Sequence, residues 1–281
     1  MVLAEGVDGP VSHAFEILCL GNELLIGKIV NTNAQWLAHQ ITSLGGSVHR
    51  ITEVGDDVAE IAAALREAIA RRSAFILTTG GLGPTFDDKT LDAVALVLET
   101  PLEVNDAALR MVKDRYRHYE QTTHQTLELT PARLKMAHLP QGAVPLPNPV
   151  GTAPGVLSAS GSSTIINLPG VPSEMKAIFE ASVAPLIRRC VGSHHLYETS
   201  LAVTAIIESA LAPLIDQVMR DHPAVYVKSH PQAAEPVPRI ELHLSTHADA
   251  PDAAKEQVEA AAAAIARLIE DNGGAVTPST T

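Results

Sequence analysis

Three polar, glycine-bearing segments, each following a short apolar run, hold most of the chemistry this sequence can perform. The first is Gly21-Asn22-Glu23-Leu24-Leu25-Ile26-Gly27-Lys28, continuing to Asn31-Thr32-Asn33; the second is Glu53-Val54-Gly55-Asp56-Asp57. The third is Thr78-Thr79-Gly80-Gly81-Leu82-Gly83-Pro84-Thr85-Phe86-Asp87-Asp88. Gly80, Gly81 and Gly83 let the backbone turn tightly and aim N–H groups at an anion. The N-terminus of a following helix adds partial positive charge. Asp87 and Asp88 supply hard oxygen donors suited to Mg²⁺ or Mn²⁺. A diphosphate is therefore expected across this turn, met by backbone N–H groups and the Thr85 hydroxyl. A divalent ion at Asp87 and Asp88 would polarise a phosphoryl oxygen, with Glu23 positioning the attacking water.

Plainer readings stand beside these. Thr85 followed by Asp88 is capping-box-like, Asp56 and Asp57 precede a helical pattern, and Ser173 and Glu174 follow Pro172 at a helix start. Asn148 suits a turn. Gly21 to Lys28 fails as a P-loop because Ile29 stands where Ser or Thr belongs. Gly81-Leu82-Gly83 fails as a dinucleotide fingerprint because Phe86 occupies its third glycine position. Zinc and serine-nucleophile motifs (H-E-x-x-H, C-x-x-C, G-x-S-x-G) do not occur, and Cys190, His194 and His195 form only a loose cluster.

The elements that must position these residues alternate. Ile17–Leu20, Val48–Thr52 and Ala74–Thr79 read as strands; Trp36–Leu44, Ile61–Ile69 and Leu91–Leu98 have helical spacing. Continuous apolar strands between helices imply a parallel sheet covered on both faces, with ligands at its carboxyl edge. Helical stretches follow over Asp106–Tyr119 and Pro131–Ala137, then a proline-punctuated segment to Pro154. A hairpin of Val156–Ser160 and Thr164–Leu168 and a helix from Pro172 to Arg189 close the first domain, 14–190. Residues 196–275 read as a β-α-β-β-α module, between a loose tail at 1–13 and a disordered ending, 278–281.

Composition narrows the function. The 281 residues carry 20 Lys and Arg against 32 Asp and Glu, a net charge of −12. Without a basic stripe, a nucleic-acid coat or an anionic-membrane adaptor is not expected. Aromatics are only 3% of the chain, so the core is aliphatic. Two distant cysteines, no signal-peptide pattern and no apolar run of membrane-spanning length point to a cytoplasmic protein.

With these residues assembled, the chain resembles the N-terminal part of the CinA-type competence/damage-inducible proteins, within the wider group of molybdopterin-binding-like domains. Four segments carry the resemblance: GNELLIGKIVNTN (21–33), TGGLGPTFDDKT (79–90), NPVGTAPG (148–155) and LPGVPSEM (168–175). It implies an α/β fold, a three-layer mostly parallel sheet, with a smaller α+β KH-like domain. It also implies a metal-dependent (Mg, Mn or Co) hydrolase that converts ADP-ribose to AMP and ribose 5-phosphate. The alternative is a molybdopterin- or nucleotide-binding module without turnover. Expected catalytic residues are Asp87, Asp88 and Glu23, the two aspartates also holding metal. Expected ligand-binding residues are Gly21, Asn31, Asn33, Gly80, Gly81, Gly83, Thr85, Asn148, Gly151, Thr152 and Ser173. Longer family members add a nicotinamide-mononucleotide deamidase domain, whose activity is not expected of this chain. Phe86, Met136 and the segment Thr204–Ser209 depart from the family pattern and bear on substrate preference. Residues 196–270 lack a G-x-x-G clamp, so RNA binding is not expected; domain packing or a homo-oligomer interface is.

Overall fold

The computed structural model describes residues 14–124, 128–191, 195–232 and 239–279. The N-terminal segment read as a tail, and His194 of the loose Cys190 cluster, lie outside them. Two compact units divide after Val191.

In the larger unit β1 (Ala14–Leu20) is buried along its whole length. Gly21 ends it and opens the one-turn helix α1 (Asn22–Leu25); α2 (Thr32–Ser43), β2 (Ser47–Val54) and α3 (Val58–Ala70) follow. Asp57 caps α3, its carboxylate accepting from the Ala59 and Glu60 N–H groups. Next come the fully buried β3 (Phe75–Thr79), α4 (Thr90–Leu98), β4 (Leu102–Val104), α5 (Asp106–Thr123) and α6 (Pro131–Lys135). The unit continues through β5 (His138–Pro140), β6 (Val144–Leu146), β7 (Gly155–Ser160) and β8 (Ser163–Leu168). It closes on α7 (Pro172–Ile178) and α8 (Ala184–Val191), joined by a π-helical turn over Phe179–Val183.

The main sheet runs β2-β1-β3-β8-β7-β6. Its first four strands are parallel; β7 and β6 are antiparallel additions. The sequence reading differs here in three places. Coverage on both faces fails for β2, an edge strand whose Ile51 is 46% exposed. The proline-punctuated segment is not without structure: β5 pairs with β4, and β6 lies at the sheet edge, where Pro145 leaves no interior ladder bond unmade. The helix from Pro172 is interrupted by the π turn, where buried Phe179 meets Trp36 edge-on at 5.3 Å.

At the amino end of the sheet, the buried Glu16 carboxylate accepts from Arg71 Nε at 2.8 Å, Arg71 Nη2 at 2.7 Å and Ser73 Oγ at 2.7 Å. Burial alone would raise this carboxyl. The Arg71 and Ser73 hydrogen bonds, with the charges of Arg71 and Arg50, bring it below its ordinary value. A carboxyl depressed by folding stabilises the fold above its unfolded pKa, and that contribution is lost as pH falls through the folded value. Glu16→Gln should therefore cost about 2 kcal/mol near neutrality. Urea titrations at pH 7 and pH 3 check this: a cost that stays the same at both would contradict the linkage.

The smaller unit is β9 (His195–Thr204), α9 (Glu208–Asp221), β10 (Tyr226–Gln232), β11 (Arg239–Ala248), α10 (Pro251–Asp271) and β12 (Ala275–Pro278). Its sheet, β10-β11-β9-β12, is antiparallel throughout. Leu211, Ile215 and Val218 of α9 and Val258, Ala261, Ile265 and Ile269 of α10 pack with Val203, Leu242 and Leu244. Strand β12 corrects the expected ending: Val276 pairs with Val203, and the Ser279 N–H donates to Ser200 O at 3.0 Å. Only Ala275 and Val276 are apolar after Gly273-Gly274, and two adjacent residues give no alternation to read. Among the described residues, no helix is long and apolar enough to cross a membrane.

Candidate functional site

Strands β1, β3 and β8 end side by side, and Gly80 is where their exits meet. A Cβ on Gly80 would stand 2.2 Å from the Leu20 carbonyl oxygen, and its φ of +115° suits only glycine. Gly170, after β8, approaches from the other side, where a Cβ would lie 3.3 Å from Gly80 Cα. The Gly80 N–H donates to Leu168 O at 3.0 Å. It is therefore part of the sheet ladder and cannot meet a ligand, which corrects the expectation that the whole turn binds phosphate. Gly81, Leu82 and Gly83 differ: among the described residues, nothing accepts from their N–H groups.

The turn ends at two carboxylates. Thr85 N–H donates to Asp88 Oδ2 at 2.8 Å, and Thr85 Oγ1 lies 2.6 Å from that oxygen and also against Asp87 Oδ1. The hydrogen bond from Thr85 is the main cause holding the Asp87 carboxyl below its ordinary value. The Thr85 hydroxyl, expected from sequence to meet phosphate, is engaged here by these two carboxylates. Helix α4 starts at Thr90 after Lys89, so Asp88 does not cap it; it closes the turn before it.

A cavity of about 860 Å³ opens on this turn. Gly21, Glu23, Asp56, Gly80, Gly81, Gly83, Thr85, Asp87, Asp88, Gly151 and Thr152 all line it. Asn31, Asn33, Asn148 and Ser173 are not in its wall. Asn31 donates to Glu53 at 2.8 Å and accepts from Ala34 N–H at the start of α2. Asn33 donates to Thr79 Oγ1 at 3.0 Å and Gly170 O at 2.8 Å, tying loop to sheet. Asn148 donates to Glu174 Oε2 at 2.6 Å and accepts from Gly151 N–H at 2.7 Å, which shapes the loop carrying Thr152. Ser173 lies in the first turn of α7. These amides look like ligand contacts in sequence, yet they brace the segments that make the wall.

The opposite wall went unread in the sequence. Arg115, Tyr116 and Tyr119 reach the cavity from α5, and Arg133 reaches it from α6. The Arg133 guanidinium sits 4.8 Å from the Tyr116 ring centroid. Burial raises the Tyr116 phenol, against the opposing charge of Arg133. Arg115 also donates to Val150 O. The available signal was two of four tyrosines and an arginine within one helical turn of an aromatic-poor chain.

Among the described residues, no group of three or more His, Cys, Asp or Glu is arranged to hold a metal. Asp87 and Asp88 offer two carboxylates, both against Thr85 Oγ1, the number an ion that completes its shell with phosphate and water takes from a protein. Cys19 is buried, and desolvation pushes its thiol up to about 11, so it takes no part as a nucleophile.

A mostly parallel α/β sheet with its cavity at the carboxyl ends of the strands defines a ligand-binding α/β domain. Residues 16–189 match the family described as "Probable molybdopterin binding domain", and the chain belongs to that family. A protein of Pyrobaculum calidifontis is 45% identical over 255 residues, covering 90% of this chain and 95% of its own. Protein Ta0487 of Thermoplasma acidophilum is 38% identical over 261 residues, covering 92% and 97%. A solved structure, described as the protein CinA with unknown function from Thermoplasma acidophilum, aligns with TM-score 0.56 and 39% identity. It covers 62% of this chain and 98% of its own. This chain is therefore a CinA-like protein of the molybdopterin-binding fold.

Proposed function

We propose that the larger unit binds a phosphate-bearing pterin or nucleotide across the Gly81–Gly83 turn, as a module of the molybdenum-cofactor-biosynthesis type. One observation carries this reading: Gly81, Leu82 and Gly83, three successive residues whose N–H groups have no acceptor among the described residues, line a cavity of ligand size. Tyr116 and Tyr119 supply ring surface for a heterocycle, and Arg115 and Arg133 supply charge-assisted donors for its phosphate.

The wall also holds five carboxylates, Glu23, Asp56, Asp87, Asp88 and Glu174, against those two guanidinium groups. A polyanion needs more positive charge than the side chains provide, and Asp87 with Asp88 would hold a divalent cation to supply it. When bound, such an ion polarises a phosphoryl oxygen. Glu23 on the same wall favours a second reading, in which water attacks phosphorus and the P–O–P bridge of ADP-ribose breaks, giving AMP and ribose 5-phosphate.

Calorimetric titration with AMP and with ADP-ribose, with and without Mn²⁺, tests both. Arg133→Ala should weaken binding about tenfold, the scale of one charge-assisted hydrogen bond. Wild-type protein that binds neither nucleotide, nor a phosphorylated pterin in the same titration, would sink the proposal. Release of AMP from ADP-ribose would favour the hydrolase over the binding module.

A further inference from the structure

Helix α6 sends its two basic residues to opposite sides of the glycine turn. Arg133 faces the large cavity, whereas Lys135 lines a second one of about 250 Å³ behind the turn. There the Lys135 ammonium donates to Thr85 O at 2.8 Å and to Asp88 O. Those carbonyls bracket Phe86 and Asp87, so one cation ties both ends of the segment that presents the two carboxylates. Leu82, Leu91, Leu102, Pro131 and Met136 make this second cavity largely apolar. Without the ammonium, nothing among the described residues would bridge these two carbonyls, and water would solvate each of them separately.

We infer that Lys135 is a positioning residue that holds Asp87 and Asp88 in the spacing a divalent cation requires. This rests on the metal-assisted reading above. Two physical effects of removing Lys135 have opposite signs, and that makes the inference sharp. By charge alone, deleting a cation near two carboxylates tightens divalent-ion binding. By position, loss of the tie lets the carboxylates separate and weakens it.

The test is Mn²⁺ affinity, read by paramagnetic resonance of the free ion, in wild type, Lys135→Met and Lys135→Arg. Amide hydrogen exchange at Thr85 is followed in metal-free protein alongside. Lys135→Met is expected to weaken Mn²⁺ at least tenfold and speed Thr85 exchange at least tenfold, while Lys135→Arg recovers most of both. Equal or tighter Mn²⁺ binding by Lys135→Met, with unchanged exchange, overturns the positioning role and leaves the metal reading intact. Wild-type protein that binds no Mn²⁺, alone or with saturating AMP, overturns the metal reading; in that case unchanged Thr85 exchange in Lys135→Met also removes the tie itself. If Lys135→Met does not fold, Lys135→Gln takes its place, and the same two readouts decide.

Discussion

Gly80→Ala is expected to lower stability by about 3 kcal/mol or more and to remove ligand binding along with it. Two independent costs meet at that residue. A φ of +115° is strained for any side chain, and the new Cβ would stand 2.2 Å from the Leu20 carbonyl. Backbone cannot step aside as a flexible side chain can, so the exits of β1 and β3 must part. Gly161→Ala is the control. Its φ is +57°, but nothing lies within 4 Å of the added methyl, so only the conformational cost of about 1 kcal/mol should appear. Urea midpoints of the two variants compare them directly. A Gly80→Ala midpoint no lower than that of Gly161→Ala would mean the junction yields easily, contrary to this geometry.

The second large effect is expected from Asp88→Asn. An asparagine oxygen can still accept from Thr85 N–H and Oγ1, so the turn survives and stability should fall by only ~1 kcal/mol. Its charge is gone, however. Mn²⁺ affinity, and any ADP-ribose turnover, should drop on the order of a hundredfold, the scale of the charge stabilisation an ion provides. Full metal-dependent binding in this variant, with only stability lost, would reduce Asp88 to a turn-closing residue.

The two cases show which parts of the molecule were legible. The strands β1 and β3 and the glycine turn could be read because their signals are local: a continuous apolar run, then glycines, then acids. Asp57 as the cap of α3 was equally local. The Asp88 side chain was harder, because Thr-x-x-Asp looks alike whether it caps a helix or closes a turn just before one. Arg115 and Arg133 were invisible as site residues, since only tertiary packing brings α5 and α6 to an edge defined some thirty to fifty residues earlier. Asn31, Asn33 and Asn148 differ in the opposite sense: they stand outside the cavity wall. Polar residues in glycine-rich loops resemble ligand contacts, but here their NH₂ groups donate to Glu53, Thr79, Gly170, Ala153 and Glu174, and Asn33 Oδ1 is buried without a partner among the described residues. Strand β12 was missed because its place depends on the partner register with β9, not on its own pattern.

The unequal anchoring of the two cavity walls has an evolutionary consequence. The glycine wall is built into the sheet, so a mutation there damages fold and site together, and selection can rarely tune one without the other. Helix α5 is different: of its 18 residues only Ala108 and Val112 are buried. Its exposed cavity-facing position Tyr119 can change with little penalty to folding, whereas Tyr116 packs against the cluster that holds Val112 and Met136. Lineages sharing this scaffold are thus freer to vary the exposed positions of α5 and α6 than the glycine turn, which the sheet holds in place.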